Sequence, residues 1–179
     1  MKRRFPIQGV IVTGAPTAIL NPALESKVST AVGLPVVTAV SAAVAALKAV
    51  SAKRLIVVTP FAEEMNARLK RVIEDSGFTI LSCPQFEDQN AVASAKASPE
   101  ELFRRVESAF KTAPTAHAIY FQGATLDPLL IIERLEQSLK VPVIASNPAM
   151  LWLLLSLLRR KYSIQGYGKL LATWPEHEV

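Results

Sequence analysis

Short β-branched runs alternate along this chain with longer stretches whose apolar positions recur at helical spacing. Residues 9–13 (GVIVT), 54–59 (RLIVVT), 78–82 (FTILS), 118–121 (AIYF) and 141–145 (VPVIA) are strand candidates, and 35–38 is a further extended segment. Asn21 and Pro22 read as the cap and first-turn residue of a helix in which Leu24, Val28 and Val32 share a face and Gly33 is the stop. The spacing predicts further helices over 39–52, 61–76, 127–140 and 148–158. Ser98, Pro99 and Glu101 open another that runs to about residue 112, by serine capping and proline at the first turn. Residues 87–98, polar and alanine-rich, read as a long loop.

Near-continuous apolar strands joined by helical crossovers predict an α/β fold with parallel sheets covered on both faces. A length of 179 residues suits one domain or two small lobes, and a composition half hydrophobic and one-fifth charged is that of a folded protein. The formal charge of +5 raises the question of a nucleic-acid partner. Basic residues cluster only at 2–4 and 159–161, without interleaved aromatics, so the reading is a solvated surface or an attraction for small anions, with no nucleic acid.

A single cysteine, Cys83, excludes an internal disulfide, and His117 and His177 lack metal-ligand spacing, so no metal is expected and the location read is cytoplasmic. Pro6, Gln8, Gly9, Gly14 and Pro16 interrupt what would be the apolar core of a signal peptide. The apolar run over 150–158 is too short to span a bilayer, so no membrane is expected as a partner.

In an open parallel sheet, ligands sit beyond the carboxyl ends of the strands. Those ends are Gly14 to Thr17 (GAPT), Thr38, Thr59 to Phe61 (TPF), Gln122 to Thr125 (QGAT), and Ser146 with Asn147. They are rich in hydroxyl and amide groups suited to an oxyanion and hold no acid, base or thiol. Each residue alone reads more readily as a turn or cap residue, and it is their shared location that favours a ligand. There is no glycine-rich dinucleotide fingerprint, no phosphate loop and no nucleophile elbow, so no cofactor is expected. Glu63 and Glu64 suit the start of a helix, and Cys83 reads as a small buried hydrophobe.

Four stretches in order, LPVVTAVSAAVAALKAV (34–50), RLIVVTPFAEEMNARL (54–69), LEQSLKVPVIASNPAMLW (135–152) and IQGYGKLL (164–171), resemble the maleate isomerase and arylmalonate decarboxylase branch of the aspartate/glutamate racemase superfamily. The resemblance implies two pseudo-similar lobes with parallel sheets flanked by helices and an active site between them. It divides the chain into a first lobe from residues 1–51 plus 146–179 and a second from 52–145. It also implies cysteine chemistry, by proton transfer or by addition to a double bond, with donors stabilising a charged carboxylate. The two cysteine positions are occupied here by Ala15 and Gly123. Phe61 stands where a tyrosine is often found, and Pro16 has no N–H to offer.

Thr17, Thr38, Thr125, Ser146 and Asn147 remain as candidate contacts for a small carboxylate. Two functional readings follow: a degenerate member without thiol catalysis that binds a carboxylate or a protein partner, and an isomerase, racemase or decarboxylase with a non-cysteine proton donor. Because the family carries a substantial segment ahead of the first cysteine turn, the first lobe is expected to be incomplete here. The exposed edge of strand 9–13 and the apolar helix 148–158 would then favour a homodimer, or a complex with a fuller relative.

Overall fold

The computed structural model describes residues 6–84 and 96–177. The basic residues 2–4 and most of the expected loop over 87–98 lie outside the described residues. The elements run β1 (Val10–Val12), α1 (Ala15–Leu20), α2 (Leu24–Val32), β2 (Val36–Thr38), α3 (Ala39–Ala49), β3 (Arg54–Val58), α4 (Glu63–Asp75) and β4 (Thr79–Ser82). They continue with α5 (Pro99–Thr112), β5 (Ala118–Phe121), α6 (Ile132–Leu139), β6 (Val143–Ala145), α7 (Ser146–Leu157) and α8 (Lys169–Thr173).

All strand pairs are parallel. β1 pairs with β2, Val10 opposite Val36, while the second sheet has the order β4-β3-β5-β6. β3 and β5, in its middle, are almost wholly buried, as expected for a parallel sheet with helices on both faces. α/β architecture with parallel sheets flanked by helices is therefore what the apolar runs encode.

The two sheets share one apolar core, and its centre is a seam of small residues. Ala39, Ala42, Ala43 and Ala46 of α3 are at most 1% exposed, and α3 packs closely on α7. Alanine has no side chain beyond Cβ, so two helix backbones approach closely along such a face. α7 is apolar on nearly every side because it also meets β1, β2, β6 and α8. Its Trp152 is fully buried and donates its indole N–H to the Pro175 carbonyl at 3.2 Å. Gly9 leads into β1 against the same helix: a Cβ there would lie 2.7 Å from Leu154 Cδ1.

Two local expectations need correction. Asn21 does not cap α2; it ends α1, a six-residue helix that the sequence did not suggest, and its side-chain amide donates to the Thr17 carbonyl at 3.0 Å. The N-cap of α2 is Ala23, whereas Gly33 does end it, in the left-handed conformation at φ 62°. The helix expected from Asp127 begins only at Ile132. Asp127 Oδ1 instead accepts the Leu129 N–H at 3.2 Å, a turn made by a short acidic side chain. Ser98 does cap α5, accepting the Glu101 N–H at 3.2 Å.

The Gly-Tyr-Gly turn docks on α6. Glu136 accepts the Val143 N–H at 2.9 Å through one carboxylate oxygen and the Lys169 N–H at 2.7 Å through the other, tying β6 and α8 to one side chain. Gly168, at φ 86°, makes this approach feasible, since a Cβ there would fall 2.3 Å from Ile132 Cγ2.

Candidate functional site

The carboxyl ends of β5 and β6 meet at Gly123. A small pocket there, of about 20 Å³, is lined by Gly123, Leu126, Asp127, Ser146, Asn147 and Pro148, among others. Ser146 is buried and Asn147 exposed, and both lie in the first turn of α7, whose N-cap, Ala145, supplies no side-chain acceptor. No side chain caps that turn and Pro148 has no N–H, so the N–H groups of Ser146 and Asn147 at the positive end of the helix are the ones that favour a negative group. The volume admits one water-sized group, such as a single carboxylate oxygen.

Gly123 is closed over. Its φ is 121°, and a Cβ built on it would lie 2.5 Å from Pro60 Cδ and 2.7 Å from Pro60 Cγ. Pro60 is held there by its own turn. The buried Asn66 side-chain amide is hydrogen-bonded to the Thr59 hydroxyl and donates to the Phe61 carbonyl at 2.8 Å, while Phe61 N–H donates to the Thr59 hydroxyl at 3.2 Å. Beneath, Tyr120 donates its hydroxyl to Gln122 Oε1 in the core, and burial holds the phenol protonated.

Ser146 and Asn147 are thus brought together with Gly123, but the other candidates are elsewhere. Thr17 and Thr125 are exposed and line neither this pocket nor the one at Thr38. Ala15, the other cysteine position, is buried at the start of α1. Thr38 is buried and caps α3, accepting the Ser41 N–H at 3.1 Å, and its own N–H donates to Glu25 Oε2 at 3.1 Å. A carboxylate already sits at that strand end, contributed by the chain itself.

Cys83 lies in a different cavity of about 200 Å³, walled by Val57, Leu69, Lys70 and Ile80, among others. Burial pushes its thiol above the ordinary range, with the Lys70 charge pulling it partly back, so the reactive thiolate is disfavoured. Among the described residues, no three His, Cys, Asp or Glu side chains gather where a metal ion could be held, and no helix is long and apolar enough to cross a membrane.

Two residues escaped the sequence reading. Asp127 lines the Gly123 pocket but read as a helix start. Glu25 reaches Thr38 across 13 residues, a pairing with no signal in local spacing.

This architecture is that of the maleate isomerase and decarboxylase branch of the aspartate/glutamate racemase superfamily, to which the chain's similarities point. Within it, the chain belongs to the arylmalonate decarboxylase family, whose sequence profile matches residues 17–171. It is 28% identical over 135 residues to the arylmalonate decarboxylase of Bordetella bronchiseptica, a match covering 75% of this chain and 56% of that relative's length. A crystal structure of arylmalonate decarboxylase superposes with a TM-score of 0.84 at 26% identity, covering 92% of this chain and 75% of the other. A mutant Nocardia farcinica maleate cis-trans isomerase with a covalently bound succinylcysteine intermediate shares the fold. Its TM-score is 0.83 at 20% identity, over 93% of this chain and 71% of that one.

Proposed function

We propose that this family member works without thiol chemistry and binds a small carboxylate at the first turn of α7. The observation that carries this reading is the closure of Gly123, where Pro60 occupies the space a cysteine Cβ would need. The family's thiol positions hold Ala15 and Gly123, and Cys83, in its own cavity, takes no part. Ser146 and Asn147, through their side chains and N–H groups at the start of α7, supply the contacts for one carboxylate group. A cytoplasmic setting agrees with the single cysteine.

One observation favours a second reading. Asp127 is an ionisable group on the wall of the same pocket, which makes it the candidate proton donor for a decarboxylase or isomerase that lacks cysteine.

Both readings meet in one experiment. Incubated with phenylmalonate, maleate or L-aspartate, the protein is expected to give no turnover above the protein-free rate. Acetate is expected to shift the amide resonances of Ser146 and Asn147 at millimolar concentration. Turnover abolished by alkylating Cys83 would overturn the reading outright, and turnover lost in Asp127→Asn would establish the second reading. Absence of any shift would remove the carboxylate role.

A further inference from the structure

A cavity of about 590 Å³ lies away from the Gly123 corner, between α1, α2, α3 and the end of α4. That volume is within the range of about 300–1,000 Å³ typical of small-molecule sites. Its apolar lining comes from Ala18, Ile19, Val36, Val40, Val44 and Val72. Asn21, Pro22 and Ser26 are exposed at its rim, and buried Thr38 lies on its floor.

The polar groups on this wall share a direction. Ser26, Ser29 and Ser76 donate their hydroxyl protons to the carbonyls of Ala23, Leu34 and Val72, at 3.0, 2.9 and 2.8 Å. Thr38 donates its hydroxyl to Ser41 at 3.0 Å, and Ser41 donates to Glu25 Oε2. Each of these five hydroxyl protons is directed to a protein acceptor. Ser41 also accepts the Thr38 N–H at 3.0 Å, which uses its second lone pair, so the hydroxyls left with acceptor capacity are those of Ser26, Ser29 and Ser76.

Glu25 completes the pattern. Its Oε2 accepts from Ser41 and from the Thr38 N–H, so the carboxylate is fixed in place, whereas none of the described residues donates to Oε1. It is the one ionisable side chain on the described wall, and no lysine or arginine shares the cavity. An anion would meet a carboxylate and hydroxyls whose protons are already engaged, with the exposed Asn21 amide at the rim as the side-chain donor.

We infer that this cavity binds a small organic ammonium ion with an apolar body, its N–H groups donating to Glu25 Oε1 and to the hydroxyls of Ser29 and Ser76. The ligand class is opposite in charge to the one proposed for the α7 corner, so the two sites are separable.

The test is titration of the full chain with butylammonium, followed by amide resonances, beside butyrate and 1-butanol as isosteric controls. Butylammonium is expected to bind at millimolar concentration, shifting Glu25, Ser29, Ser41 and Val72, with both controls weaker by about tenfold or more, as expected for a charge-assisted hydrogen bond. Glu25→Gln keeps an oxygen for the Thr38 N–H and should weaken butylammonium by about tenfold. Ala18→Phe leaves that carboxylate untouched, fills the cavity and should abolish binding, which keeps the inference testable if the glutamine variant fails to fold. Equal binding of butyrate and butylammonium, shifts confined to other residues, unchanged affinity in either folded variant, or no binding of butylammonium would each overturn it.

Discussion

Replacing Gly123 by cysteine is expected to destabilise the protein by about 3 kcal/mol or more and to restore no activity. Two costs add: a side chain at φ 121°, about 1–3 kcal/mol, and overpacking against Pro60, about 1–3 kcal/mol more. For a chain of this size each kcal/mol lowers the melting temperature by about 2–4 °C, so the midpoint should fall by about 6–12 °C. Gly123→Ala carries the same Cβ and should lose as much, which separates sterics from thiol chemistry. Removing the proline ring in a Pro60→Ala background should return the overpacking part of the loss, a positive coupling in a double-mutant cycle. Thermal unfolding of the four proteins decides it. A cysteine variant as stable as its parent, decarboxylating phenylmalonate, would refute the closed-corner reading.

The second large effect is expected at Glu136, which holds β6 and α8 together. Glu136→Gln keeps one acceptor and turns an amide NH₂ toward the other backbone N–H, so a loss of about 1–3 kcal/mol is expected. The pH dependence has a definite sign. Burial, with a smaller push from Glu133, raises the Glu136 carboxyl above 4.5, although its two backbone N–H donors and the Lys169 charge pull the other way. The folded chain therefore holds this proton more tightly than the unfolded one. The stability it contributes is fully present below the unfolded pKa and is lost as pH rises through the folded value. The advantage of the parent over Glu136→Gln should thus narrow between about pH 4 and pH 7. Urea unfolding of both proteins at the two pH values measures it, and an advantage that widens with pH would contradict this assignment.

What was legible in the sequence was local. Runs such as RLIVVT and AIYF declare strands because β-branched and aromatic residues repeat without a break, and Ser98 with Pro99 declares a helix start because both groups act within one turn. α1 was hidden because Pro16 and six residues leave no helical period to read. Asp127 was misread because a carboxylate before proline suits a helix cap and a turn equally well. The corner at Gly123 was located only through resemblance to relatives. Its closure depends on Pro60, 63 positions earlier, and on the Asn66 side chain that fixes Pro60's turn. Glu25 at Thr38 is likewise a product of tertiary packing, with no pattern to announce it.

The alanine seam between α3 and α7 also sets how the backbone breathes. Amides on the buried face of α3, and those of β3 and β5, are protected on both sides, so they should exchange with deuterium only when the whole molecule opens. α1 has one buried residue and α2 none, so these helices can open without disturbing the seam. In a deuterium-exchange time course the chain should separate into a slow tier and a fast one. The cavity at Glu25 then has a floor from the slow tier and an outer wall from the fast one. A molecule entering it would displace only the helices that cost least to move.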